Sequence, residues 1–228
     1  MKAVPIITTQ SDAILGIAPD DPPNGFVLNP DCNYKAFISE LLESRKVKSM
    51  PKCSWLKNSK IKISKSSNLE IKFSISSSFK PNQRLLIYHP QKLIIGVGTI
   101  SGASFEKLKE LVMETLGKKD LSIHSVKAIA SIDLKRNEYA INKLGEYLNK
   151  PVIHFKASEL DSIKDRLSSA SEYVFRTVGS HSVAEAAALL AAGKSSKLII
   201  EKNKSSEATC AIAYSRYVLK ELPCSKVG

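Results

Sequence analysis

With 228 residues, 43% of them hydrophobic and 25% charged, the chain is long enough for one good core or two small ones and is composed like a globular protein. The longest apolar run, Val183 to Ala192, is too short and alanine-rich to span a bilayer; the four scattered cysteines (Cys32, Cys53, Cys210, Cys224) form no C-x-x-C and argue for a reducing cytoplasm rather than a zinc or disulfide framework. The net charge of +12 comes mainly from dispersed lysines without interleaved aromatics or a nucleic-acid motif, which reads either as a solvated surface or as a positive field that favours a small polyanionic ligand.

Residues 1–90 read as one unit. Val4 to Thr8 is a short strand candidate, and Thr9 to Asp12 a polar turn or cap. Two prolines and a glycine make Asp20 to Gly25 a loop. Tyr34 to Ser44 carries Phe37, Ile38, Leu41 and Leu42 at helical spacing. Lys60 to Ser64 and Leu69 to Ile75 alternate in the strand period, and Leu85 to Tyr88 adds another strand. The serine-lysine runs Ser64 to Asn68 and Ser76 to Lys80 read as hairpin-like connections. The expected unit is a small α+β domain with one exposed sheet face, closed by His89-Pro90.

From Lys92 strands and helices alternate. Leu93 to Val97 is a buried-strand run that enters Gly96-Val-Gly98, and Phe105 to Leu116 follows with Leu108, Leu111, Val112 and Leu116 on one helical face before Gly117. Val126 to Ile132 is the next strand. Asp133 to Glu138 then leads into a helix carrying Ile141, Leu144 and Leu148. Pro151 to Phe155 is a strand, and Ser158 to Leu167 and Ser171 to Val178 are short helical pieces. Ser182-Val-Ala-Glu185 has the spacing of a capping box in front of the helix Val183 to Ala192, which Gly193 ends. Leu198 to Ile200 and Ala208 to Tyr214 are the last strands, and residues 217–228 a loose tail. The alternation predicts an α/β layered domain over 91–216 built from βαβ units, with ligands beyond the carboxyl ends of the strands.

Two turns fall at those ends: Gly98 to Ser104, and Ser131 to Glu138. Gly96, Gly98 and Gly102 lack both the G-x-G-x-x-G spacing and a P-loop lysine, so they do not define a dinucleotide site. Ser180-His181-Ser182 sets a histidine between hydroxyls, but no G-x-S-x-G elbow surrounds it. His89, His124 and His154 are scattered and read as structural or surface residues, so no metal site and no cofactor are expected. If a helix begins near Lys135, Lys135 and Glu138 share one face with Asp133 near the cap; such a group is either a base held by a lysine or a surface ion-pair cluster.

Taken together, LIIGVGTISGAS, ASIDLKRNE, FKASEL, SEYVFRTVGSHSVAEAAALLAAG and ATCAIAY resemble, in order and spacing over about residues 91–215, the C-terminal domain of the CbiG/CobE family of cobalamin biosynthesis proteins. Residues 1–90 are more loosely similar to that family's middle domain, with AVPIITTQSD resembling the last strand of its N-terminal domain. The resemblance departs at Thr99-Ile-Ser101, where the family commonly carries a cysteine and basic residues. It implies hydrolysis of the lactone of cobalt-precorrin 5A to cobalt-precorrin 5B with release of acetaldehyde. In that setting Asp133 or Glu138 activates water and Lys135 tunes it. Gly96, Gly98, Ser101, Gly102, Ser104 and Ser131, with Gly179, Ser180, His181, Ser182 and Glu185, bind the corrin polycarboxylate. The alternatives are a corrinoid-binding module of the CobE kind without chemistry, and an interaction subunit that completes a separately encoded N-terminal domain or a homo-oligomer.

Overall fold

The computed structural model describes residues 10–50, 54–57, 59–168 and 182–217. The chain divides into two compact units, Met1–Pro90 and Gln91–Gly228.

The first unit runs α1 (Gln10–Leu15), β1 (Phe26–Leu28), α2 (Tyr34–Ser44), β2 (Lys46–Met50), α3 (Ser54–Lys57), β3 (Lys62–Ile63), β4 (Glu70–Phe73) and β5 (Leu85–Pro90). Helix α2 forms where the apolar spacing predicts it. Asn33 caps it by accepting from the Ala36 N–H at 3.3 Å, and Arg45 ends it at φ 48°. Its buried stripe of Phe37, Ile38 and Leu41 joins Val47, Ile71, Leu86 and Tyr88 in one core. Gln10 to Asp12, read as a turn or cap, lie in α1, while Val4 to Thr8 fall outside the described residues.

The sheet corrects the expected connections. Its order is β1-β5-β4-β2-β3. Strand β2, which the sequence reading missed, lies between β4 and β3 and runs parallel to both. Strands β4 and β5 are also parallel, so neither serine-lysine run is a hairpin turn. Alternation within a segment sets which side chains share a face but says nothing about the direction of its neighbour.

The second unit runs β6 (Leu93–Thr99), α4 (Phe105–Gly117), β7 (Val126–Ile132), α5 (Tyr139–Leu148), β8 (Val152–Phe155), α6 (Ala157–Asp161), α7 (Val183–Ala192), β9 (Ser196–Lys204) and β10 (Ala208–Ser215). Its sheet order is β8-β7-β6-β10-β9. Strands β6, β7 and β8 are parallel and joined through α4 and α5, as βαβ units require. Strands β9 and β10 close the other edge as an antiparallel hairpin against β6. Within 158–167 a short α6 and a 3-10 turn at Lys164–Arg166 replace one expected helix. Residues 171–178 lie outside the described residues.

The two faces of this sheet are covered differently. Ile94, Ala128, Ala130, Ile153 and Ala213 meet the alanines of α7. On the opposite face Val97 pairs with Cys210, whose thiol meets Thr115 of α4. Burial pushes that thiol up to about 12, which makes it an inert packing group. Because α7 is wedged against the sheet, almost all its residues are buried and its apolar character runs all round. Among the described residues no helix is long and apolar enough to cross a membrane.

Candidate functional site

The parallel register Gly96↔Ala130 brings the turns that leave β6 and β7 side by side at the carboxyl edge of the sheet. After β6 the chain turns through Gly102 at φ +72°, where open space surrounds the position and the backbone alone calls for glycine. After β7 a single 3-10 turn, Asp133–Lys135, precedes α5, whose N-cap is Glu138. The helix therefore starts at Tyr139 and not near Lys135. The pair nevertheless forms, because the 3-10 turn folds Lys135 back.

Three contacts stitch the turns together. Lys135 Nζ donates to Glu138 Oε2 at 3.1 Å and to Ser101 Oγ at 3.1 Å. The Gly102 N–H donates to Glu138 Oε1 at 3.0 Å. The Lys135 and Glu138 side chains are only 16% and 10% exposed, so water screens their attraction less than at an open surface. Both Glu138 oxygens are thus committed, one to an ammonium and one to an amide. Asp133 stands half-buried beside this stitch and lies near His154 of β8.

The hairpin β9–β10 reaches the same edge. Glu207 accepts from the Ser104 N–H at 2.9 Å and pairs with Lys107, and its backbone carbonyl accepts from the Ile100 N–H at 2.9 Å. Lys107 first, then the Ser104 amide, hold the Glu207 carboxyl below its usual range. Ser104 caps α4 without a side-chain bond, so the anion at that helix start is the protein's own Glu207. Sequence reasoning missed Glu207, since nothing local ties it to a turn a hundred residues away.

Several expected binding residues are structural instead. A Cβ at Gly96 would meet Ala184 O at 1.9 Å and Ala188 Cβ at 2.8 Å, so Gly96 is where α7 presses onto β6. At Gly98 a Cβ would meet Thr209 Oγ1 at 2.9 Å. Ser131 is buried, and its hydroxyl donates to Val97 O at 2.8 Å, tying β7 to β6. Glu185 is fully buried and does not reach back to Ser182. Its Oε2 accepts from the Ser168 N–H at 3.0 Å, and its Oε1 accepts from the Ser168 hydroxyl at 2.5 Å and the Lys202 N–H at 2.9 Å. The expected capping box is absent because longer-range donors take its carboxylate. Ser182 is the N-cap of α7, buried, with its Oγ unpartnered among the described residues. Gly179, Ser180 and His181 lie outside the described residues. Among the described residues no His, Cys, Asp and Glu group could hold a metal ion.

This is an α/β domain of βαβ units with a polar, charge-stitched site at the carboxyl edge of its parallel strands. The family described as Cobalamin synthesis G C-terminus matches residues 93–213, more than half of the chain, and the chain belongs to that family. It is 30% identical over 132 residues to cobalt-precorrin-5A hydrolase of Priestia megaterium, covering 58% of this chain and 34% of that protein. It is 32% identical over 121 residues to Protein CobE of Sinorhizobium sp, covering 53% of this chain and 79% of that protein. The crystal structure of CobE, a protein from the cobalamin (vitamin B12) biosynthetic pathway, superposes with a TM-score of 0.51 at 37% identity, covering 55% of this chain and 91% of that one. The chain thus spans about a third of the length of the hydrolase relative.

Proposed function

We propose that the chain acts in cobalamin biosynthesis on a corrin polycarboxylate, opening the lactone of cobalt-precorrin 5A and releasing acetaldehyde to give cobalt-precorrin 5B. The observation that carries this reading is the stitched pair of turns. Ser101, Gly102, Lys135 and Glu138 meet at one edge, inside the region matched by the family. Exposed Ile100, Leu134 and Tyr139 lie on the same turns and at the start of α5. A flat macrocycle with an apolar ring and a carboxylate rim suits such a mixture, and a net charge of +12 favours its approach. We place the reaction in the cytoplasm, with no resident cofactor and no nucleic acid.

A second reading is a corrinoid-binding module of the CobE kind without chemistry. It is favoured by the coverage of 79% for that relative against 34% for the hydrolase, and by the commitment of both Glu138 oxygens. The deciding experiment is acetaldehyde release from cobalt-precorrin 5A by the purified chain, with binding followed by corrinoid absorbance. Release supports the hydrolase. A shift in absorbance without release supports the module. Release only after a hydrolase N-terminal domain is added in trans makes the chain one half of a two-part enzyme. Neither a shift nor release rejects the functional reading.

A further inference from the structure

His154 is the third residue of the short strand β8, in register with Ser131 of β7, at the same carboxyl edge as the stitched turns. It is 8% exposed, and its Nε2 is buried with no hydrogen-bond partner among the described residues. Leaving such a group without a hydrogen bond is costly, and most buried polar atoms in native interiors have a partner. His89 shows the contrast, with Nδ1 on Ser74 O at 2.8 Å and Nε2 beside the Asn29 amide at 3.2 Å.

The surroundings of His154 belong to the site. The 3-10 turn Asp133–Lys135 packs against β8. Asp133 and Arg136, at the two ends of that turn, are the charges that act on the ring. Burial, then Arg136, push the imidazole below its usual value against the pull of Asp133, so the ring is neutral at neutral pH with its lone pair unprotonated. Glu138, the obvious base from sequence spacing, has both oxygens occupied.

We propose that His154 is the proton acceptor of this edge, taking the proton of the water that opens the lactone, with Asp133 stabilising the imidazolium formed. The proposal rests on the hydrolytic reading above. The water oxygen bonds to the lactone carbonyl carbon as its proton passes to the ring nitrogen. The ring C–O bond then breaks, and the imidazolium returns the proton to the departing alkoxide. One water is consumed and a carboxylic acid and an alcohol form; the alcohol then releases acetaldehyde as its carbon–carbon bond to the macrocycle breaks, the macrocycle carbon gaining the proton that the hydroxyl loses, so no external oxidant or reductant is needed.

The test combines two readouts. In 15N-labelled chain titrated with cobalt-precorrin 5A, the His154 ring nitrogens and the Gly102 amide are expected to shift together. In H154Q, checked for an unchanged melting temperature, acetaldehyde release should drop about 100-fold or more in kcat with KM within about threefold. If H154Q does not fold, H154A supplied with free imidazole replaces it, and recovery of release supports the assignment. Turnover of H154Q within threefold of wild type overturns the proposal. So does a Gly102 shift with unmoved His154 signals, which would leave the edge as a corrinoid site. If neither signal moves, the functional reading of this edge fails and takes the proposal with it.

Discussion

At the residue scale, a few buried positions decide whether the domain holds together. Gly96→Ala would drive a methyl group into the backbone of α7, so we expect a loss of about 3 kcal/mol or more, read as a lowered denaturant midpoint with an unchanged slope. Glu185→Gln turns one acceptor into a donor facing the Ser168 N–H, and should cost about 2–3 kcal/mol in the same measurement. His154 has a linkage signature of its own. Its folded value lies below the unfolded 6.5, so as pH falls through 6.5 the unfolded chain binds the proton first. The contribution is complete above that pH and lost on acidification towards the folded value. Melting temperature should therefore decline below about pH 6.5 in wild type and decline less steeply in H154Q.

At the element scale, the site depends on how the turns after β6 and β7 are tied. Lys135→Met removes the donor to both Glu138 and Ser101, freeing the turn after β6 from the turn after β7. We expect corrinoid affinity to fall about tenfold and stability to fall by about 1–3 kcal/mol, because the nearly buried Glu138 carboxylate loses its ammonium partner. Glu138→Gln separates the two candidate bases. A glutamine can still accept the Gly102 N–H, so if the carboxylate only positions the turn, turnover should fall by less than about tenfold. Abolished turnover in a folded, corrinoid-binding E138Q would make Glu138 the base instead of His154.

At the scale of the whole molecule, the family match lies within Gln91–Gly228, and that unit has its own sheet and core. A fragment of residues 91–217 should fold cooperatively by itself and bind corrinoid, as seen by circular dichroism and absorbance titration. Binding of a polycarboxylate by a chain of net charge +12 should weaken steadily as salt is raised. An affinity indifferent to ionic strength would point to the exposed apolar residues as the main contact.

What the sequence by itself determined is the set of elements whose physics is local. Helix α2, helix α4 and strand β7 stand where spacing and alternation put them, since burying one face repeats at a fixed period. The family was legible too, because several motifs agree in order across one stretch. Tertiary structure alone decided which groups meet. The S-x-x-E spacing suggested a capping box, yet Glu185 serves Ser168 and Lys202, each seventeen residues away. Parallel β2 escaped notice because Lys46–Met50 offers a short, lysine-interrupted pattern whose partners lie elsewhere in the chain. Glu207 and His154 carry no local signal at all. Their places follow from strand register, which depends on how the entire sheet closes, and a carboxylate's or imidazole's partners are chosen only then.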